Sequence, residues 1–271
     1  LNQGDGTFRE SIKDQTRQVS FFSMGVDVAD YNNDGLTDIF VLDMAAEDHV
    51  RAKSHLAGIS QDKYQDFLEK GFHHQYMFNS LQLNQGNGQF SNVARLAGVD
   101  ETDWSWSALL ADYDNDGFKD LFVSNGLRKE VLNNDFVQGM NATLASRNLP
   151  FNSLPKAEAE EILSRMPSEK VSNYLYRNTG GLSFENVTSE WGADIPSFST
   201  GSAWGDLDND GDLALVVNNI DAPAWIYKNN AREITKGNFI KVVPEGPANN
   251  LAGTGTRVEL WHNGQLQMQQ L

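Results

Sequence analysis

The sequence contains no cysteine and comparatively few basic residues. The absence of cysteine excludes disulfides, thiol nucleophiles and thiolate-ligated zinc. Lys and Arg number 21 against 37 Asp and Glu, which gives a formal net charge of −16 at pH 7. Because this charge repels phosphate groups, we expect no nucleic-acid partner and no binding to an anionic membrane surface.

Long apolar runs are also missing, so the sequence predicts no segment that inserts into a bilayer. Hydrophobic residues make up 39% of the chain and aromatic residues 10%, and there are 23 glycines. A disordered acidic tail has fewer aromatic residues than this. The composition is therefore typical of a β protein with many turns.

A short segment that runs from Asn to Phe occurs three times. In each copy the Phe stands six residues after the Asn, and the copies are Leu1–Phe8, Leu83–Phe90 and Tyr176–Phe184. An acidic segment begins 22 residues after each Phe, at Asp30–Asp38, Asp112–Asp120 and Asp206–Ala214. A partial fourth copy is Trp225–Asn230. This equal spacing indicates a repeated supersecondary unit.

Short apolar runs follow the acidic segments, at Ile39–Leu42, Leu121–Ser124 and Leu215–Val217. Such runs, bounded by turn residues, indicate strands. The glycines of the Asn-to-Phe segments supply the positive φ that a hairpin turn needs. Two hairpins per repeat make a four-stranded antiparallel sheet, and sheets repeated around an axis make a β-propeller. We therefore predict an all-β fold, a partial propeller of such blades over residues 1–230.

The intervals between the acidic segments are unequal, which indicates two insertions, at about 45–75 and 127–172. The first contains Gln61–Lys70, a predicted helix that ends before Gly71. The second contains Pro155–Leu163, a predicted helix with an acidic first turn. Both insertions follow the strand after an acidic segment, so we expect them to emerge on one face. Four of the five histidines lie in or beside the first insertion without metal-ligand spacing, which favours surface or packing roles.

The acidic segments place oxygen-bearing side chains at positions 1, 3, 5 and 9 and Gly at position 6. Hard oxygen ligands in a flexible loop suit Ca²⁺, with a backbone carbonyl at position 7. The predicted calcium ligands are Asp30, Asn32, Asp34, Leu36 and Asp38; Asp112, Asp114, Asp116, Phe118 and Asp120; and Asp206, Asp208, Asp210 and Asp212, where Leu36, Phe118 and Asp212 contribute backbone oxygens. Asp, Asn and Gly also form ordinary turns. Three copies in register favour metal binding over that alternative.

These loops differ from EF-hands, and the third differs from the other two. An EF-hand needs Glu at position 12, whereas Val41, Val123 and Val217 stand there. Position 9 of the third loop is Ala214, which has no side-chain oxygen. Because the number and charge of the ligands set calcium affinity, we predict that the second loop binds tightest and the third weakest.

Patterns for nucleophilic catalysis or nucleotide binding are not found: there is no Ser-His-Asp spacing and no P-loop. Tryptophans recur beside the predicted strands, at Trp104, Trp106, Trp191, Trp204 and Trp225. Packing between blades is the favoured role for them. A platform on which carbohydrate rings stack is the alternative.

These residues resemble the FG-GAP/VCBS repeats, the calcium-loop propeller repeats that also occur in integrin α-subunits. The segments Trp104–Ala108, Gly201–Asp206 and Asp210–Leu213 are similar to VCBS-type proteins with a C-terminal ASPIC/UnbV module. The segments Asn238–Val242 and Gly253–Leu260 look like the opening of that module, which we place at 238–271. Cartilage acidic proteins and large bacterial cell-surface proteins share this layout.

The resemblance implies a calcium-binding extracellular or cell-surface scaffold for adhesion or recognition of a protein or glycan ligand, without catalysis. A part of a polysaccharide-acting enzyme and a purely structural stalk remain alternatives. Leu1–Phe8 matches only the second hairpin of a blade, and three calcium hairpins are fewer than a closed family propeller needs. We therefore expect the remainder of a larger chain to complete the propeller.

Overall fold

The structure is a computed structural model that describes residues 1–55 and 61–271. Its strands are β1 (Val19–Ser20), β2 (Val26–Ala29), β3 (Asp38–Val41), β4 (Met44–Ala45), β5 (Gln75–Tyr76), β6 (Ser80–Asn84), β7 (Phe90–Asn92), β8 (Asp103–Ala111), β9 (Asp120–Asn125), β10 (Tyr174–Asn178), β11 (Phe184–Asn186), β12 (Ser199–Gly205), β13 (Ala214–Asn219), β14 (Trp225–Tyr227), β15 (Arg257–His262) and β16 (Gln265–Gln270). Its helices are α1 (Ile12–Gln15), α2 (His49–Ser54), α3 (Gln61–Glu69), α4 (Ala94–Ala97), α5 (Asn134–Ser146), α6 (Lys156–Ser164) and α7 (Ala231–Thr235), with a 3₁₀ turn at Phe151–Ser153.

The first blade is a four-stranded antiparallel sheet in the order β2-β3-β6-β7. The first acidic loop joins β2 to β3, where Ala29 pairs with Asp38. The second hairpin joins β6 to β7, where Asn84 pairs with Phe90. Both hairpins are therefore as the sequence predicts. The N-terminal copy of the Asn-to-Phe segment closes in the same way, through a bridge between Asn2 and Phe8.

The second blade has the same order, β8-β9-β10-β11, and the short β4 adds to the free edge of β8. The second acidic loop joins β8 to β9, and Asn178 pairs with Phe184 in the second hairpin. The all-β prediction and the partial propeller are thus confirmed by two complete antiparallel blades.

The third blade has only three strands, in the order β12-β13-β14. The prediction of four strands in every repeat is therefore wrong for this copy. After Asn230 the chain enters α7, with the sequence Ala-Arg-Glu-Ile-Thr. Glycines turn the equivalent hairpins, but this segment has helix-forming residues in their place. The local sequence thus ends the sheet one strand early.

Both predicted helices of the insertions are present, as α3 and α6, and Gly71 has the left-handed φ of +84° that ends α3. Each insertion contains a further helix, α2 and α5, which the sequence analysis missed. The sequence does contain an indication of both helices, because Asp and Asn are favoured N-cap residues. Asp48 and Asn133 act as these caps and accept hydrogen bonds from Arg51 N and Phe136 N. Residues 56–60 of the first insertion lie outside the described residues.

Two apolar clusters hold neighbouring blades together. The first, between blades one and two, is centred on Tyr31, Phe40, Leu81, Leu121 and Val123, all fully or almost fully buried. The second, between blades two and three, contains Phe122, Leu175, Val187, Leu215 and Val217. Burial of one large apolar side chain in this way contributes about 1.5–3 kcal/mol to the stability of the folded state. Packing between blades therefore stabilises the repeat.

The C-terminal hairpin β15–β16 forms a two-stranded sheet of its own. Among the described residues, no helix combines the length and the apolar character needed to cross a membrane.

Candidate metal centres

The side chain at position 1 of each acidic loop organises the turn. Asp30 accepts hydrogen bonds from Asp34 N at 3.0 Å and from Gly35 N at 2.8 Å. Asp112 accepts from Asp116 N at 3.1 Å and from Gly117 N at 2.9 Å. In the third loop, Asp206 accepts from Asp210 N at 3.1 Å. The bond from the position-5 N–H to the position-1 carboxylate therefore occurs in all three loops, and the bond from the glycine N–H in the first two.

The position-5 carboxylates form a second set of repeated bonds. Asp34, Asp116 and Asp210 accept from the backbone N–H two residues later, at 2.8, 2.8 and 3.0 Å. The glycine at position 6 has a left-handed φ in every copy, between +83° and +95°. These bonds draw the side chains at positions 1, 3 and 5 toward one point.

Two of the loops bring three carboxylates together. One ligand atom from each of Asp112, Asp114 and Asp116 lies within 4.8 Å of the other two, and Asp206, Asp208 and Asp210 form an equivalent cluster. The first loop has Asn32 at position 3, and its amide donates to Asp34 at 3.0 Å. Positions 1, 3 and 5 of the second and third loops could therefore hold a metal ion, and calcium ligation by these residues stays a prediction.

The position-9 carboxylates have an additional structural role. Asp120 is fully buried, and it accepts hydrogen bonds from Tyr113 N at 2.9 Å and Asn178 N at 2.8 Å. Asp38 makes the equivalent bonds to Tyr31 N and Asn84 N. Each of them ties its acidic loop to the next strand of the blade. Their metal ligation stays a prediction.

Burial controls the electrostatics of these carboxyl groups. It raises the pKa of Asp112 to about 6, that of Asp38 to about 7 and that of Asp120 to about 8. It also raises the pKa of Asp30 and of Asp114, and neighbouring loop carboxylates add to the effect. Burial disfavours the charged form, whereas a nearby cation favours it. The donor set therefore fits a hard divalent cation, which would hold these groups ionised.

The third loop differs from the other two in more than Ala214. Lys228 Nζ lies 3.0 Å from Asp208 Oδ2 and lowers the pKa of Asp208. The side chain of Asp212 accepts from Asn115 Nδ2 at 2.5 Å and from Arg232 N at 2.9 Å, so it is used outside the loop centre. A lysine that already neutralises position 3 competes with a cation there. This contact agrees with the prediction that the third loop has the lowest calcium affinity. That ranking stays a prediction.

The asparagines at position 4 join one loop to the next, a role that the sequence analysis missed. Asn33 donates from Nδ2 to the backbone Gly117 O at 2.9 Å, and Asn115 donates from Nδ2 to the side-chain carboxylate of Asp212. Asn33, Asn115 and Asn209 all have a left-handed φ near +60°. Asn tolerates this conformation better than most residues. The signal was present in the sequence, because all three loops carry Asn at this position.

The C-terminal segment lies over the position-6 glycines. Arg257 donates to Gly35 O at 2.8 Å, and a Cβ added to Gly35 would lie 2.9 Å from Leu266. A Cβ on Gly117 would overlap Gln267, and one on Gly211 would overlap Phe239. Glycine is thus required at these positions for close packing as well as for its positive φ. The spacing of the acidic residues gives no indication of this contact.

The two insertions meet at a buried ion-pair cluster on the second blade. Arg51 of α2 bonds to Asp103 through Nε at 2.6 Å and through Nη2 at 2.9 Å, and to Glu169 at 2.7 Å. Its Nη1 lies 3.3 Å from Glu130. His55 Nε2 is 2.8 Å from the other oxygen of Glu130, without the alignment of a hydrogen bond. This cluster supports the expectation that both insertions emerge on one face.

His73 and His74 also have local partners. His73 Nε2 lies 3.1 Å from Thr16 Oγ1, and His74 Nδ1 lies 2.7 Å from the Tyr64 hydroxyl. The two acidic clusters that could hold a metal, among the residues described, contain no histidine. These contacts agree with packing roles for the histidines.

Comparison with protein families identifies the repeat. Residues 1–41 and 60–123 match the FG-GAP-like repeat, and this range includes the first two acidic loops. No curated protein matches the chain. These residues are therefore similar to FG-GAP-like repeats, and the structure arranges them in blades of a partial β-propeller. The third copy lies outside the match, and its assignment to the repeat rests on its spacing and its place in the fold.

Proposed function

We propose that this protein is a calcium-binding β-propeller scaffold that recognises a protein or glycan ligand and has no catalytic role. The observation that carries the calcium proposal is the recurrence of one carboxylate cluster, at positions 1, 3 and 5, in the second and third acidic loops. Carboxylates crowded in this way repel one another strongly where solvent is scarce. A bound cation removes that cost.

The donor chemistry favours Ca²⁺ over transition metals. The clusters hold carboxylate oxygens, whereas softer metals prefer imidazole or thiolate. Ca²⁺ accepts six to eight oxygens in flexible geometry. In this proposal the side chains at positions 1, 3 and 5 bind Ca²⁺. The backbone carbonyls of Leu36, Phe118 and Asp212 and the position-9 carboxylates of Asp38 and Asp120 would add further ligands.

The two insertions support a recognition role. They project from a rigid scaffold, which is where binding residues are commonly found. The first carries exposed apolar side chains, with Val50 73% exposed and Phe72 55% exposed.

We further propose a secreted or cell-surface location, where calcium is abundant enough for sites of modest affinity. The ASPIC/UnbV-like module at 238–271 and the likeness to cartilage acidic proteins belong to this proposal, on the residues quoted above. The outer faces of the first and third sheets expose Val26, Val28 and Ile226. We propose that further blades from the remainder of a larger chain cover these faces.

The calcium proposal is tested by thermal unfolding of the purified chain in calcium chloride and in excess EGTA. Calcium binds the folded state, so the melting temperature should be higher in calcium. One site at a hundredfold excess over its Kd adds about 2.7 kcal/mol. Equal melting temperatures in the two buffers would contradict the proposal.

A matched pair of variants locates the effect. Asp116→Ala removes a position-5 carboxylate that accepts from Phe118 N, and Asp5→Ala removes one that accepts in the same way from Thr7 N. Both variants lose one charge and the bond to the backbone N–H two residues later, and Asp5→Ala also loses a bond from Thr7 Oγ1. The calcium-dependent shift should shrink in Asp116→Ala and stay unchanged in Asp5→Ala. A similar response of the two variants would argue against binding at the loops.

A further inference from the structure

A small acidic pocket lies where the first two blades meet, and it has a volume of about 180 Å³. Asp100 and Glu101, between α4 and β8, form one part of its wall, and Glu47, which follows β4, forms another. Tyr176 and Phe184 of the second blade also border it. The pocket therefore combines three carboxyl groups with two aromatic side chains, at some distance from the acidic loops in the sequence.

Tyr176 brings a polar group without a partner to this pocket. The residue is only 4% exposed, and its hydroxyl makes no hydrogen bond within the described residues. Tyr174 leaves the same face of β10, its ring lies nearly parallel to that of Tyr176 at 5.6 Å, and its hydroxyl donates to Glu47 at 2.8 Å. The Tyr176 hydroxyl therefore points to the side of the pocket carboxylates. Burial raises the pKa of Tyr176, and the charges of Glu47 and Asp100 add to this effect, as that orientation requires.

The Tyr176 hydroxyl differs from the other unpartnered tyrosine hydroxyls of the described residues. Those of Tyr31, Tyr113 and Tyr227 are fully enclosed by protein, and the Tyr176 hydroxyl is not one of these enclosed groups. A ligand that enters the pocket can therefore reach it and supply the missing hydrogen bond.

The pocket carries an excess of negative charge. Arg95 Nε lies 2.9 Å from Asp100 and balances that carboxylate. Within residues 1–55 and 61–271, neither Glu47 nor Glu101 has an ion-pair partner. Burial raises the pKa of Glu101, and the charges of Asp100 and Glu47 raise it further. A cation in the pocket would offset this repulsion.

The arrangement of the acceptors favours an organic cation over a metal ion. Among the described residues, the groups of three acidic side chains close enough to share one metal ion lie in the second and third acidic loops, not here. A primary ammonium carries three N–H donors. Glu47, Glu101 and the Tyr176 hydroxyl offer three separate acceptors for them. The ring of Phe184 adds a surface that attracts a cation.

We propose that this pocket binds a primary ammonium group on an alkyl chain, either a free amine or the lysine side chain of a protein partner. The ammonium donates to Glu47, Glu101 and the Tyr176 hydroxyl, and the alkyl chain packs beside Phe184. This inference rests on the proposed recognition role, for which it names the chemical group recognised and the site. The pocket is smaller than the roughly 300–1,000 Å³ of drug-sized sites, so it suits a single functional group.

Binding is measured by saturation-transfer NMR and calorimetry in calcium chloride. The probes are n-butylammonium for a free amine and Nα-acetyl-lysine methylamide for a lysine side chain. Their neutral counterparts are 1-butanol and the Nε-acetylated lysine derivative, and choline is a cation without N–H donors. At least one ammonium probe should bind, and the tighter of the two identifies the source. The neutral counterparts and choline should bind more weakly by about tenfold, the effect of a single hydrogen bond.

Binding of neither ammonium probe would overturn the proposal. Equal affinity for an ammonium probe and its neutral counterpart, or for choline, would also overturn it.

Two variants with matched controls assign the site. Tyr176→Phe removes the free hydroxyl and should weaken ammonium binding about tenfold. Tyr113→Phe removes an enclosed unpartnered hydroxyl and should leave the affinity unchanged. Glu101→Gln removes one pocket charge and should also weaken binding about tenfold. Glu233→Gln removes an exposed charge on α7 of the third blade, where salt screens its influence on the pocket, and should have little effect.

The site is overturned by unchanged affinity in Tyr176→Phe or in Glu101→Gln, or by an equal loss in either control. Circular dichroism checks that each variant is folded, and melting in calcium and in EGTA is recorded on the same samples. A calcium effect without ammonium binding contradicts only the ammonium site. Ammonium binding without a calcium effect contradicts only the calcium scaffold.

Discussion

Replacing Arg51 by Met tests whether the ion-pair cluster holds the first insertion to the second blade. The side chain of Arg51 is 13% exposed, and those of its partners Asp103 and Glu130 are 9% and 3% exposed. Met keeps much of the volume of Arg but leaves both carboxylates without their main counter-charge. Breaking a buried pair in this way costs about 3–5 kcal/mol.

The expected loss lies at the lower end of that range, because some partners remain. Asp103 still accepts from Trp104 N at 2.7 Å, and Glu130 keeps His55 nearby. We therefore expect Arg51→Met to lower the free energy of unfolding by about 3 kcal/mol. For a chain of this size that corresponds to a melting temperature lower by about 5–10 °C. Urea denaturation followed by circular dichroism measures the change.

The control is Arg177→Met, which also removes one arginine. Arg177 pairs with Glu185 on the surface, where the two side chains are 38% and 54% exposed. Exposed pairs contribute about 0–1 kcal/mol. The loss of unfolding free energy in Arg51→Met should also be smaller at acid pH, because a protonated carboxyl group needs no counter-charge. A loss no larger than that of Arg177→Met would refute the reasoning.

Three further predictions follow from the acidic loops. In EGTA, the free energy of unfolding should fall as the pH rises from about 4 to about 8. The reason is that the raised pKa values of Asp112, Asp38 and Asp120 favour the protonated folded state. Urea titrations that show stability rising with pH in EGTA would contradict this. Ala214→Asp should raise the calcium affinity or stoichiometry measured by calorimetry, since it adds the missing position-9 carboxylate; three wild-type sites of equal affinity would refute the ranking of the loops. Asn115→Ala should weaken the effect of calcium bound at the second loop on the calcium affinity of the third, since it removes the bond to Asp212. An unchanged calcium isotherm would exclude this coupling.

The sequence was sufficient where short-range contacts determine the structure. The acidic loops are built by bonds that span two to five residues, such as those from Asp34 N and Gly35 N to Asp30. The strands around them follow from local apolar runs, and the register of the hairpins follows from the Asn-to-Phe spacing. These features depend on neighbouring residues, so the repeat and its candidate ligands could be read directly from the spacing.

The third blade was predicted incorrectly for a reason that is also local. Trp225–Asn230 matches only the start of the second hairpin, whereas the prediction assigned two hairpins to every repeat. The residues that follow have no glycine to turn the chain back, and they form α7. Attention to the absent turn residues would have corrected the prediction.

Only the tertiary structure decided how distant segments meet. Arg51 bonds to Glu169 across 118 positions of the chain, and Arg257 bonds to Gly35 across 222. Asn33 reaches the next repeat at Gly117, 84 residues away. The pocket beside Tyr176 likewise depends on Glu47 and on the second blade together. No local propensity encodes these contacts, because they arise when blades pack and bring side chains from separate repeats into the same space.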